Sequence, residues 1–115
     1  MRDHVDRVGS RLRALAARRA GGSGGTGATP TLVLPDVPAG TQLLLGRSRS
    51  ADVRFLEPTV SRRHAALQRV ANGWLITDRA STHGTYVNGR RVDAAILRDG
   101  DELRLGLTTR MIVRS

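Results

Sequence analysis

TYVNGRRV, residues 85–92, is the stretch that decides the fold. Asn88-Gly89 is the strongest short hairpin signal, because both central positions of a two-residue hairpin turn want positive φ. The same texture continues outward in both directions. Downstream, ILRDGDELRLG (96–106) carries a second turn at Asp99-Gly100 and then alternating Leu103 and Leu105, and TTRMIVRS (108–115) follows. Upstream, HAALQRV (64–70) stops at ANG, and WLITD (74–78) takes over. Further back, TLVL stops at Pro35, TQLLLG ends at Gly46, and ADVRF alternates Val53 with Phe55. No helical period of useful length interrupts these runs. Short strands at regular spacing, parted by turn residues, predict an all-β sandwich or barrel.

The chain has 115 residues and divides into three parts. Residues 1–20 read as a basic amphipathic helical tail. Val5, Val8, Leu12 and Leu15 share one face, and Arg7, Arg11 and Arg18 lie opposite. GGSGGTGATP, 21–30, has the composition of a flexible linker. Residues 31–115 form the β domain.

Composition narrows the chemistry. Cysteine is absent, which excludes disulfides, Cys-based zinc sites and thiol catalysis. One Trp, one Tyr and one Phe leave a core of Val, Leu, Ile and Ala. The formal charge is +9, and the basic side is entirely arginine, whose planar fork grips carboxylate or phosphate at two points. RLRALAARRA (11–20) is too broken by arginine for a secretory h-region, and no segment has the apolar length to span a bilayer. A cytoplasmic protein is expected.

The polar clusters fall in the turns: GRSRSAD (46–52), EPTVSRRH (57–64) and DRASTHGT (78–85). Loops on a rigid scaffold are the usual seat of function, and at one end of a sandwich these three would share a rim. A nucleophile reading pairs Ser61 with His64 and uses Asp78 as orienter. It lacks a G-x-S-x-G elbow, so no catalytic residues are assigned. His4, His64 and His83 have no ligand spacing, so no metal or cofactor is expected. The domain from Pro30 onward has 13 Arg against 8 acids, net +5. Trp74, Tyr86 and Phe55 are nonetheless too few for a base-stacking platform, so nucleic acid ranks below a solvated arginine surface. One phosphate group fits better. Arg47, Ser61, Arg62, Ser81 and Thr82 supply guanidinium forks and hydroxyls, and Gly46 and Gly84 let backbone N–H groups approach.

Four motifs occur in order: LGR (45–47), VSRRHA (60–65), STHGTYVNG (81–89) and LRDGDELRLG (97–106). Together they resemble the forkhead-associated (FHA) domain, a phosphothreonine-recognition module. The resemblance implies a two-sheet β-sandwich of the FHA/SMAD-like type, with a phosphopeptide bound across the loops at one end. It implies that Arg47, Ser61, Arg62, Ser81, Thr82 and His83 meet the phosphopeptide, that His64 braces the loops, and that Asn88 and Gly89 form a buttressing turn. It further implies a non-enzymatic module whose partner carries phosphothreonine, a Ser/Thr kinase or its substrate. His83 departs from the family's usual Asn. Imidazole offers one donor and one acceptor when neutral and only donors when protonated, so binding is expected to strengthen toward acid pH. Two alternatives are an FHA-like scaffold for an unphosphorylated partner and a basic domain held on nucleic acid.

Overall fold

The computed structural model describes residues 29–115. The helix expected over 1–20, and the linker up to residue 28, lie outside the described residues. Pro30, at the end of the expected linker, already accepts a hydrogen bond from the Ile112 N–H at 2.8 Å.

Ten strands follow in chain order: β1 (Thr31–Val33), β2 (Gln42–Gly46), β3 (Val53–Arg54), β4 (Ala65–Val70), β5 (Gly73–Asp78), β6 (Thr85–Val87), β7 (Arg90–Arg91), β8 (Ala94–Leu97), β9 (Glu102–Leu105) and β10 (Thr109–Arg114). They build two five-stranded sheets, β1-β10-β9-β6-β7 and β3-β2-β4-β5-β8. Neighbours pair antiparallel except β1 with β10 and β2 with β3. The sandwich expected from the sequence is therefore present, with every expected run forming a strand.

Alternation along each strand fills the space between the sheets. In the second sheet, register aligns Leu43, Leu67, Ile76 and Ala95 in one row across four strands. The first sheet contributes Leu32, Val113, Met111, Leu103 and Leu105, and Trp74 is buried with them. The scarcity of aromatics is thus met by stacked aliphatic rows.

The strand directions give the sandwich two unlike ends. Asn88 and Gly89 have φ of 51° and 82°, as the two-residue turn requires, and close β6 onto β7 at one end with the β4–β5 turn and Asp99-Gly100. At the other end lie the segments after β2, before β4, between β5 and β6, and between β9 and β10. All three polar clusters fall at this second end.

Candidate functional site

The loop before β4 is held by close approach. A Cβ on Gly46 would lie 2.0 Å from the Arg62 carbonyl oxygen, so only glycine lets the 61–62 backbone rest on the end of β2. The Arg47 and Ser48 N–H groups then donate to the Ser61 and Arg62 carbonyls at 3.0 and 3.1 Å. Arg47 also donates its Nε–H to the Val60 carbonyl at 3.0 Å. That bond fixes the guanidinium plane. Its two terminal nitrogens make no hydrogen bond among the described residues.

His64 joins the loops. It is fully buried (0% exposed). Its Nδ1 accepts the Ser61 N–H at 3.0 Å, and its Nε2–H donates to the Gly84 carbonyl at 2.8 Å. These partners require the neutral tautomer protonated on Nε2. Burial pushes the imidazole below its ordinary 6.5, and His83 adds to this. The Gly84 bond and the Asp78 carboxylate oppose it without cancelling it. His64 thus ties the two loops together, and it touches Ser61 through the backbone and not through Oγ.

Asp78 organises the third loop. Its carboxylate accepts from the Ser81 hydroxyl at 2.5 Å, the Ser81 N–H at 3.1 Å and the Thr85 hydroxyl at 2.7 Å. Burial alone would raise its pKa, but these bonds, with His64 nearby, hold it below the usual 3.8. Ser81 in turn accepts the Gly84 N–H at 3.0 Å. Only 8% exposed, Ser81 spends its hydroxyl on Asp78 and Gly84. The structure therefore places it inside the loop, in place of the outward contact expected from the sequence.

The loops then meet. The Thr82 N–H donates to Ser61 Oγ at 3.1 Å, which orients that hydroxyl and leaves its own hydrogen to donate. Ser61 is half-buried, and Arg62 and Thr82 are exposed. The Arg62 guanidinium, the Thr82 hydroxyl and the His83 ring make no hydrogen bond among the described residues. The His83 carbonyl accepts the Tyr86 hydroxyl at 3.2 Å. Gly84 has φ of 92°, which turns the chain into β6. Arg47, Ser61, Arg62, Thr82 and His83 thus gather on one rim. Asn88 does not reach it. Its amide bonds the Asp101 carboxylate at 3.0 Å and the Glu102 N–H at 2.9 Å, so it supports the rim only by locking β6 beside β9.

Three contributors went unassigned by sequence reasoning. Asp78 had a local signal, an Asp opening a polar loop, where its carboxylate can accept from nearby main-chain N–H groups. Thr59 and Gly106 had none. A Cβ on Gly106 would sit 2.6 Å from the Thr59 carbonyl oxygen, the Thr59 hydroxyl accepts the Leu107 N–H at 3.0 Å, and it donates to the Glu57 carboxylate. The Gly106 N–H also reaches the Gly84 carbonyl at 3.0 Å.

The rim is a set of oriented donors around one open point, with Arg47 and Ser61 fixed by backbone bonds. Such an arrangement suits a multivalent oxyanion. Comparison with known proteins gives the family. The FHA domain family model matches residues 43–106, more than half of the chain. The glycogen accumulation regulator GarA of Mycobacterium tuberculosis is 40% identical over 75 residues, covering 59% of this chain and 46% of GarA. The ABC transporter ATP-binding/permease protein Rv1747 of the same species is 40% identical over 77 residues, covering 67% of this chain and 9% of the transporter. The chain thus spans less than half of either relative. A solved FHA structure from work on phosphothreonine-dependent FHA interactions superposes with a TM-score of 0.63 at 37% identity, covering 69% of this chain and 80% of that one. The FhaA FHA domain, solved in complex with the intracellular domain of Rv3910, gives 0.57 at 36% identity, covering 63% and 78%. From the Gly46 contact through the His64 brace to the Asn88-Gly89 turn, with these matches beside it, the chain belongs to the FHA domain family.

Proposed function

We propose that the chain is a phosphothreonine-dependent protein–protein interaction module acting in Ser/Thr-kinase signalling. The observation that carries the reading is the Ser61 hydroxyl, which accepts the Thr82 N–H and keeps its own hydrogen to donate, on the loop whose main chain anchors Arg47. The phosphate accepts from Ser61 Oγ and from the terminal nitrogens of Arg47, with Arg62 as a second cation. Thr82 and His83 meet the peptide backbone. FhaA bound to an intracellular domain and EmbR of Mycobacterium tuberculosis in complex with a phosphopeptide are related precedents.

The module is read as a binder and not an enzyme. His64 has both ring nitrogens engaged by main chain and makes no bond to Ser61 Oγ, so the pair lacks the nucleophile–base contact. The partner is a Ser/Thr kinase or one of its substrates. A cytoplasmic setting belongs to this proposal; no helix among the described residues is long and apolar enough to cross a membrane.

The test compares a phosphothreonine peptide library with its unphosphorylated twin, on wild type and on Arg47→Ala. Loss of a charge-assisted bond to phosphate is worth about 1.5–3 kcal/mol, or roughly 10- to 150-fold in Kd. Phosphate-dependent binding that falls by this much supports the reading. Equal binding of both libraries refutes it in favour of a phosphate-independent scaffold. Tight DNA binding with a steep salt slope refutes it in favour of a nucleic-acid role.

A further inference from the structure

Register in the first sheet lines up four residues on its outer face. Arg91 on β7 pairs with Tyr86 on β6, Tyr86 pairs with Arg104 on β9, and Arg104 pairs with Arg110 on β10. Their chain neighbours Thr85, Leu103, Leu105 and Met111 are buried, so alternation turns Tyr86, Arg104 and Arg110 outward, and pairing with Tyr86 puts the exposed Arg91 on the same face. The Arg104 guanidinium lies over the Tyr86 ring, 3.9 Å from its centroid, and donates to the Leu107 carbonyl at 3.0 Å.

Such a row works against the sheet. Like charges directly opposite on neighbouring strands destabilise the pairing, and Arg104 faces Arg110. Charge on an edge strand deters edge-to-edge association, which accounts for Arg90 and Arg91 on β7. It does not account for Arg104 or Arg110, because β9 and β10 are interior strands. Neither does internal neutralisation. Among the described residues the ion pair formed is Arg114 with Asp99 at 3.5 Å, which involves none of the row. Glu102, two residues before Arg104, bounds the row on the side away from the loops.

The row is continuous with the rim. The Tyr86 hydroxyl donates to the His83 carbonyl, and the atom nearest to a Cβ built on Gly84 is Arg91 Nε, 2.9 Å away. It thus starts at the third loop and runs across the sheet. Three inter-strand steps of about 4.8 Å make it about 14 Å long, the span of about four residues of extended peptide.

We propose that Arg91, Tyr86, Arg104 and Arg110 form a second docking strip for an acidic segment of the phosphorylated partner, continuing from the phosphothreonine over the outer face of the first sheet. This rests on the phosphothreonine reading of the rim. Carboxylates at alternate positions of an extended segment face the three guanidinium groups, and Tyr86 holds Arg104 in place between them.

The experiment measures Kd for the 115-residue chain against three phosphothreonine peptides: one with neutral flanks, one with four Glu on the N-terminal side, and one with four Glu on the C-terminal side. Wild type is compared with the double variant Arg104→Gln, Arg110→Gln, whose folding is checked by its thermal midpoint. Relief of the Arg104–Arg110 repulsion offsets the lost Arg104 contacts with Tyr86 and the Leu107 carbonyl, so the midpoint is expected to hold. The acidic run on one flank is expected to tighten binding about tenfold in 50 mM salt, with the gain shrinking as salt rises. The double variant is expected to lose that gain and to bind the neutral phosphopeptide as wild type does. An equal gain in both proteins, or no gain from either flank, overturns the strip. So does tighter binding of single-stranded DNA or anionic vesicles than of the acidic peptides through the same two arginines. If the neutral phosphopeptide itself does not bind, the reading of the rim fails. The strip is then judged by an unphosphorylated tetra-Glu peptide, whose binding must be lost in the double variant and kept in Arg47→Ala.

Discussion

The two ends of the sandwich solve the same problem by different means. At the turn end, the chain reverses within a few residues, local backbone preference sets the bend, and the Asn88 side chain then ties it to Asp101 and Glu102. Asn88-Gly89 bends because both residues accept positive φ, and nothing lies within 4 Å of the missing Gly89 Cβ. At the loop end, the segments are longer and stay in place by reaching far along the chain. The Ser61 hydroxyl takes the Thr82 N–H, the His64 ring takes the Gly84 carbonyl, and the Thr59 hydroxyl takes the Leu107 N–H. A turn set by local preference owes its bend to its own residues and uses its outward bonds only for attachment. A rim made from mutual contacts stands or falls as a unit, which is what an oxyanion receptor with fixed donors needs.

The largest break should come at the brace. His64→Ala takes the acceptor from the Ser61 N–H, leaves the Gly84 carbonyl with only the Gly106 N–H, and opens a void, a cost of about 3 kcal/mol readable by urea denaturation. The same residue gives the loop end a pH signature. The folded state holds His64 neutral with its pKa below 6.5, so the unfolded chain binds more protons just under that value. The stability contributed by neutral His64 is whole above pH 6.5 and falls as pH drops below it, and this slope is absent from His64→Ala. Asp78 acts in a separate, more acid window. Its contribution is whole above 3.8 and is lost as pH falls through its lower folded value. A wild-type stability curve flat between pH 7.5 and 5 would contradict the brace.

A pair of glycine substitutions contrasts the ends directly. Gly46→Ala forces a methyl against the Arg62 carbonyl and should cost about 2–3 kcal/mol. Gly89→Ala meets no neighbour and should cost about 1 kcal/mol, the strain of positive φ alone. Equal losses in denaturation would erase the distinction between contact and conformation. The smallest effect belongs to His83→Asn, which should leave stability unchanged. Phosphopeptide Kd at about pH 7.5 should shift by no more than a few-fold, because Asn offers the peptide both a donor and an acceptor, as an imidazole does. A loss as large as that of Arg47→Ala would make His83 a principal phosphate contact.

Legibility follows the same division. The strands, both hairpin turns and the aliphatic core are carried by alternation and by turn dipeptides, which are properties of neighbouring residues. Arg47, Ser61 and His64 stood out because their motifs match the family in order. Ser81 was misplaced for a physical reason. A hydroxyl in a polar loop looks the same whether it faces solvent or is taken by a carboxylate three residues earlier, and burial decides between them. The Gly106–Thr59 contact joins residues 47 apart and has no local signature. The outer arginine row depends on the register of four strands, so its members are scattered in the sequence and adjacent only once paired.

The Gly84 carbonyl receives both the His64 ring and the Gly106 main chain, one from each sheet. Every residue type carries a carbonyl, so no codon change can delete this acceptor, and one of its two donors is likewise a main-chain group. The joint between the sheets therefore keeps its bonding groups through most sequence change, but not its shape: Gly84 and Gly106 both have positive φ, and a Cβ at either would come within 3 Å of a neighbour. Its genetic vulnerability is concentrated at His64, Gly84 and Gly106, while the residues facing the ligand can vary around them.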